Sequence, residues 1–402
     1  MLYSSASRRW TVAALIAGVL GGLALVGSGV AQAKNERPAK VMTLNLYLGA
    51  DLTPAIAAGS LPALAAAGTQ IWNTVQATDF PARAKVLAKE IADSDPDLIG
   101  LQEASHWFTG PPDGIPGIVI PGLYPAPTPA TTSAINFVDI LRAELAALNV
   151  PYNVVASQNE ANIEGITASG FDIRLLQRDV ILAKKSKVDA GEIACGNVIQ
   201  GNYANNLSFT LLGIATVTST RGFVSADCTV NKRSFRFVNT HLEAFSSTFR
   251  FLQAAQLAGV PLPTPPFPPN GAPGPASTTA MPVVLVGDLN SDPSNTVTPP
   301  GDLVPNNAAY FTFLGAGYSD TWTAVNPPTT SSSVAEPGDT SGFSELVNDP
   351  DTSSIDSRID HVLARGGVGV TKAKVTGLDA DNRTPGGLWP SDHAGVIATL
   401  TP

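Results

Sequence analysis

Val283-Val284-Leu285-Val286-Gly287-Asp288-Leu289-Asn290 sets an unbroken apolar run directly before a glycine, a carboxylate and an amide. A short run of this kind, rich in β-branched residues, reads as a strand buried on both faces. The polar burst at its end then falls at a strand tip, where open α/β folds present their functional groups. The design recurs. Leu98-Ile99-Gly100-Leu101 leads into Gln102-Glu103, and a β-like stretch from Arg233 ends in Asn239-Thr240-His241. Ile359-Asp360-His361 and Ser391-Asp392-His393 are further bursts, so three of the four histidines of the chain lie in such places.

Working outward, Lys40 to Leu48 alternates as a strand does. Thr78-Asp79-Phe80-Pro81 is a helix start, with a capping side chain and a proline for the first turn. Ala82, Val86, Leu87 and Ile91 are expected to form its apolar face, and Asp95-Pro96-Asp97 stops it. A second helix is expected from Ile135 to Leu148, with Ile135, Val138, Leu141, Leu145 and Leu148 as its stripe. Strands are expected at Val154-Val155, Asp179 to Ala183, Leu207 to Thr220, Thr371 to Val375 and Ala394 to Leu400, and a helix around Phe251 to Gln256. Leu61 to Ala67 reads as an ordinary buried turn. Pro111 to Thr132, Val260 to Pro282 and Asn326 to Thr340 read as surface loops rich in Pro, Gly, Ser and Thr. Strands with helices inserted between them suggest two packed sheets with helices outside. The scatter of bursts from Asn45 to His393 points to one domain.

The chain has 402 residues, 44% hydrophobic, with a formal net charge of -9. That is ample for a large core, and the acidic balance argues mildly against a protein that grips nucleic acid through phosphate charge alone. Arg8-Arg9, an apolar stretch to about Val30 and Ala31-Gln32-Ala33 have the form of a signal peptide over residues 1–33. A mature chain over 34–402 is therefore expected to be secreted, by the twin-arginine or the general secretory route, with no membrane span left after cleavage. The oxidising destination and the even count of two cysteines suggest a Cys195–Cys228 disulfide between neighbouring strands.

Glu103, Asp288, Asp360 and Asp392, with Asn45, Asn290, His241 and His393, are the inventory that phosphate-ester hydrolysis requires. Carboxylate and amide oxygens suit a hard divalent cation. Imidazoles suit proton transfer near neutrality, and a carboxylate partner fixes their tautomer. There is no Gly-x-Ser-x-Gly elbow, zinc-protease motif, Walker A loop or dinucleotide fingerprint.

The bursts, in this order, resemble the endonuclease/exonuclease/phosphatase superfamily, which includes deoxyribonuclease I-like nucleases, abasic-site endonucleases and bacterial sphingomyelinases. The resemblance runs from Thr43-Leu44-Asn45 to Ser391-Asp392-His393. It implies an α/β fold, a four-layer α-β-β-α sandwich of two mixed β-sheets with outer helices. It implies Mg2+ (Mn2+ or Ca2+ as alternatives), with Glu103 as principal metal ligand and Asn45 and Asp392 completing the shell. It makes His393, held by Asp360, the general base, and Asp288 the residue that orients the water or itself takes the proton. Asn290 and His241 contact the phosphate. Arg178, at the start of a strand that passes the cleft in relatives, is a further phosphate ligand or a surface partner of Asp172 or Asp179.

Other residues read as structural. Asp360 and His361 point to opposite faces of one strand, so only one can face the cleft, and the resemblance gives that place to Asp360. His106 reads as a loop residue, Trp322 as core and Asn348-Asp349-Pro350-Asp351 as a solvated loop. The function expected is a secreted, monomeric, metal-dependent phosphoesterase, with phospholipid head groups as one substrate branch and DNA or RNA (a nuclease) as the other. A catalytically inactive surface-binding relative is the alternative of another class. No aromatic hairpin for membrane insertion stands out, Phe267 being a thin candidate.

Overall fold

The computed structural model describes residues 37–114, 128–213, 215–327 and 338–401. The expected signal segment, residues 115–127 of the first Pro-rich loop and most of the Asn326–Thr340 loop lie outside the described residues. From Pro38 onward the chain forms one compact unit.

In chain order the strands are β1 Ala39–Asn45, β2 Leu98–Gln102, β3 His106–Gly110, β4 Thr132–Asn136, β5 Tyr152–Ile166, β6 Asp172–Lys184, β7 Ile193–Asn202 and β8 Leu207–Leu211. They continue as β9 Ala215–Ser219, β10 Gly222–Val230, β11 Arg233–His241, β12 Val283–Asp288, β13 Ser319–Asp320, β14 Asp360–Arg365, β15 Gly369–Thr376 and β16 Gly395–Thr401. The helices are α1 Thr53–Ile56, α2 Leu61–Ala77, α3 Phe80–Ser94, α4 Phe137–Ala147, α5 Lys185–Asp189, α6 Ser247–Ala258, α7 Ala308–Gly315 and α8 Thr321–Val325.

One sheet runs β15-β16-β1-β2-β6-β3-β4, with β5 also on β6; the other runs β13-β14-β12-β11-β10-β7. Both are mixed. Each holds one parallel pair, β1 with β2 and β11 with β12. Parallel neighbours need a crossover connection, which α1–α3 supply in the first case and α6 with its Pro-rich tail in the second.

Period-two burial sorts the layers. Val284 and Val286 point into the space between the sheets, with Val41, Phe237 and Val362. Val283 and Leu285 point outward to Leu257 and Phe313 beneath α6 and α7. Leu87, Ile91, Phe137 and Leu141 of α3 and α4 cover the opposite face of the first sheet. This is the four-layer sandwich. Gly100 lets the sheets close, because a Cβ there would meet Val286 Cγ2 at 2.4 Å. The same space is crossed by amides: Gln102 Nε2 donates to Asn239 Oδ1 at 2.6 Å, and Asn239 Nδ2 donates to the Leu101 carbonyl at 2.9 Å. Cys195 and Cys228 are directly opposed on β7 and β10 and form a disulfide.

Four local expectations need correction. Leu61–Ala77 is a helix, not a turn: Ser60 caps it by accepting from the Ala63 N–H, Pro62 lies in its first turn, and Leu64, Ala67, Ile71 and Val75 are its buried face. The helix expected from Ile135 begins at Phe137, because Ile135 pairs with Trp107 as part of β4. On α3 the buried stripe is Phe80, Ala84, Leu87, Ala88 and Ile91, so that Arg83 rather than Ala82 turns inward. Leu207 to Thr220 is two strands, a separate β8–β9 hairpin. Among the described residues no helix is long and apolar enough to cross a membrane.

Candidate active site

The two parallel pairs end level with one another. Asn45 is in register with Gln102, and His241 with Asp288, which is in turn opposite Asp360. Directly opposed residues share a face of a sheet, so His241, Asp288 and Asp360 stand in a row facing the first sheet. Asn45 bridges the gap: its Nδ2 donates to Asp288 Oδ2 at 3.0 Å. Its Oδ1 accepts from the Tyr47 N–H at 2.9 Å, which leaves a second lone pair on that oxygen.

Glu103 and Asn290 follow their strands in the left-handed region, at φ 50° and 48°. Such backbone is costly for a side chain other than glycine and collects at functional sites. Here it turns Glu103 towards Leu48, whose N–H donates to Oε2 at 2.6 Å. It turns Asn290 so that its N–H donates to Asp288 Oδ1 at 2.8 Å and its Nδ2 to the Leu242 carbonyl at 3.0 Å.

The imidazoles are in opposite states. His393 Nδ1 lies 2.8 Å from Asp360 Oδ2, with Nε2 3.9 Å from Asp288 and 3.8 Å from Asp392. Burial alone would lower its pKa, but Asp360, Asp392 and Asp288 outweigh that and hold it well above the usual value. His241 Nδ1 receives a hydrogen bond from Arg221 Nη1 at 2.8 Å. A guanidinium can only donate, so the neutral ring carries its proton on Nε2, 3.3 Å from Asp288 Oδ2. Burial, then Arg221 and His393, keep its pKa well below the ordinary value. Asp288 is pushed up to about 6 by burial and Asp360, and Glu103 to about 7 by burial and Asp392.

These carboxylates fit a hard cation. Glu103 and Asp392 line the same cavity and repel one another, with a single N–H on Glu103 from Leu48. Asp360 Oδ1 is buried with no partner. Among the described residues the tightest groups that could hold a metal are Asp288–Asp360–His393 and Glu160–Asp179–His241. Neither contains the expected shell of Asn45, Glu103 and Asp392, which gathers more loosely beside the first.

Arg178 does not reach this cleft, which corrects the sequence expectation. It shares the outer face of β6 with Val180 and Leu182, since period two sends it away from the second sheet. Its guanidinium donates to the Ala104 carbonyl at 3.0 Å and Asn136 Oδ1 at 2.7 Å, and it pairs with neither Asp172 nor Asp179. The cation in the site is Arg221, at the entry to β10, which sequence reasoning missed. It faces Glu160 at 3.8 Å. Glu160 is raised to about 7 by burial, and Asp179 well above the usual range by burial and Glu160. Arg83 was missed too. Fully buried, it donates from Nη1 to the carbonyls of Leu46 at 2.9 Å and Pro390 at 2.8 Å, tying the loop after Asn45 to the loop before Asp392. The inward position on α3 was the available signal for Arg83. Alternation with Ile181 and Ala183 was the signal for Asp179.

The remaining histidines lie outside the cleft. His361 is buried between Arg358, the Ser291 carbonyl and the Tyr310 ring. His106 stacks on Phe108 and bonds Ser133. Trp322 is half-buried in α8, Asp349 accepts from Ser344 in its loop, and Phe267 leans on Phe251.

Residues 262–393 match the sequence model of the Endonuclease/Exonuclease/phosphatase family. That span holds Asp288, Asn290, Asp360, Asp392 and His393. A search of the curated proteins finds no match. An endonuclease/exonuclease/phosphatase family protein from Bacteroides thetaiotaomicron is similar at 16% identity, over 90% of this chain and 94% of that one, with a TM-score of 0.50. The mannosyl-6-phosphatase of Bacteroides thetaiotaomicron VPI-5482 is similar at 15% identity, over 90% and 99%, with a TM-score of 0.48. D. rerio TDP2, complexed with single strand DNA product, is similar at 14% identity, over 91% and 99%, with a TM-score of 0.44. The resemblance read from the bursts thus extends to the fold: this is the endonuclease/exonuclease/phosphatase sandwich.

Proposed function

We propose that this chain is an exported, Mg2+-dependent phosphoesterase that hydrolyses a phosphodiester or phosphomonoester by in-line attack of water. The observation that carries the reading is the meeting of Asn45, Glu103, His241, Asp288, Asn290, Asp360, Asp392 and His393 at one end of the sandwich, drawn from both ends of the described chain. Superfamily members are typically phosphoesterases or nucleases, and their dependence on a divalent metal suits this donor set.

When bound, the cation would be held by Glu103 and Asp392, with the Asn45 amide oxygen, and would neutralise charge on the phosphoryl oxygens. The chain's own groups supply the rest. Asp288, held by Asn45 and the Asn290 N–H, is ionised at neutral pH and sits between the two imidazoles, where it can orient a water and take its proton. Imidazolium His393, kept charged by Asp360, binds a phosphoryl oxygen and serves as acid. His241 offers its Nε2 proton, and Asn290 its amide, to the charge that develops on phosphorus oxygens. The water oxygen bonds to phosphorus, and the opposite P–O bond breaks with its electron pair leaving on the ester oxygen. Asp288 is thereby favoured over His393 as base, since His393 already carries its proton.

The test is a panel of bis(p-nitrophenyl) phosphate, p-nitrophenyl phosphate, a phosphatidylcholine, plasmid DNA and RNA, each with magnesium and with excess chelator. Hydrolysis of at least one ester, abolished by chelator, is expected. Glu103→Gln, Asp288→Asn, His241→Ala and His393→Ala should each lower turnover by about 100-fold or more. Near-wild-type rates in two of these variants would overturn the reading.

A further inference from the structure

The cavity that Glu103 and Asp392 line continues into a space of about 400 Å³ with a mostly apolar wall. Four segments build that wall. Ile56 comes from α1, Leu64 from α2, Ile163 and Leu175 from β5 and β6, and Phe209 and Val217 from the β8–β9 hairpin. The hairpin belongs to neither main sheet. Two strands alone are marginal in water, and this pair is steadied where Phe209 meets Phe245 edge-to-face at 5.6 Å. Together with α1 and α2 it forms one apolar space opening from the carboxylates.

The charges around the space limit what it accepts. Arg221 is the one cation among its lining residues, and it is already engaged by His241 and Glu160. Asp51, Glu164 and Glu345 are anionic. A second phosphate next to the reacting one would meet net negative charge, so a polynucleotide strand is a poor occupant. A sugar would leave its hydroxyls facing aliphatic carbon. A hydrocarbon chain meets neither penalty, and the size lies within the range of small-molecule sites.

We propose that the substrate is a phosphate ester carrying a single alkyl chain, which enters this pocket while the phosphate lies against Glu103 and Asp392. The proposal rests on the phosphoesterase reading and adds the chemical class of the substrate's remote arm. Burying each methylene should tighten binding about three- to fourfold until the pocket is full.

The experiment measures binding and turnover separately. Methyl-, butyl- and octylphosphonate, each below its micellar concentration, are titrated into the full chain with magnesium, by calorimetry and by the tryptophan fluorescence to which Trp107 in the cavity wall contributes. Octylphosphonate should bind at least about 30-fold more tightly than methylphosphonate, the gain from only three buried methylenes at roughly threefold each. Leu64→Asp and Phe209→Ser should each reduce that ratio at least fivefold, with circular dichroism confirming a folded chain. Equal affinities across the series in the wild type, or an undiminished ratio in both folded variants, would overturn the pocket. Turnover of bis(p-nitrophenyl) phosphate is followed in parallel. Turnover with a flat chain-length series sinks the pocket alone. A steep series without turnover of any ester leaves the alkyl pocket standing but sinks the phosphoesterase reading, and with it the assignment of the occupant as substrate.

Discussion

Burial of Glu103 beside Asp392 pushes its carboxyl up to about 7, where the ordinary value is 4.5. Below that pH the cation-free site therefore holds a proton on the group that must donate to the cation, and binding has to displace it. Metal affinity is then proton-linked. The apparent dissociation constant should rise roughly tenfold per pH unit below 7, so by about 10-fold at pH 6 and 100-fold at pH 5, and be flat above pH 8. Asp288, raised to about 6 by burial and Asp360, steepens the slope towards two protons below pH 6 if it too loses its proton. The sign follows from the raised pKa: without cation, the fold gains stability from these groups as pH falls from 7 towards 4.5, and with cation bound that trend reverses. The assay is calorimetric titration of Mn2+ or Mg2+ at pH 5, 6, 7 and 8, in two buffers of different ionisation enthalpy. Proton release close to one per ion is expected at pH 6, where roughly nine-tenths of Glu103 is protonated. Glu103→Gln should weaken binding and reduce the pH slope. Affinity that is constant from pH 5 to 8, with no proton release, would refute the placement of Glu103 at the cation.

Arg221 and Glu90 allow two further tests. Arg221→Gln removes the donor that fixes the His241 tautomer and leaves buried Glu160, Asp179 and Glu243 without their cation. It should cost about 3–5 kcal/mol in urea unfolding and lower kcat more than it raises KM; unchanged stability would show the carboxylates are neutralised by other means. Glu90 is buried against β15 and β16, bonded to Thr376, and raised by burial from 4.5 to about 7. Its protonated form suits the fold, so stability falls as pH rises from 4.5 to 7 and is level above. Glu90→Gln should therefore be more stable than the wild type at pH 8, by up to about 3 kcal/mol, and show a flatter pH dependence; equal destabilisation at pH 5 and pH 8 would refute this.

Much of the fold was legible along the chain because burial in a sandwich has short periods. Val283 to Val286 reads as a doubly buried strand since alternate residues enter the inter-sheet and the helix-covered cores. The cap and stop around α3 are local chemistry, with Asp79 accepting from the Ala82 N–H. What was misread was also local. The Ala-rich helix from Leu61 has weak apolar contrast between its faces, and Ile135 was drawn into a helix although β4 pairs it with Trp107. Arg178 was chosen for its place before a strand, but one residue along a strand is the difference between cleft and outer layer.

Sequence alone marked the polar groups at strand tips, because a carboxylate or imidazole beside an apolar run falls at the edge of the buried layer. It identified Asn45, Glu103, His241 and Asp288 at or just past the ends of their strands, and Asp360 and His393 at or just before the starts of theirs. Only the tertiary structure decided that they face one another, that Arg221 answers His241, and that an apolar pocket opens beside Glu103. Asn45 bonds Asp288 across 243 positions, and no local pattern carries the register of two sheets or the charge that burial leaves to be compensated.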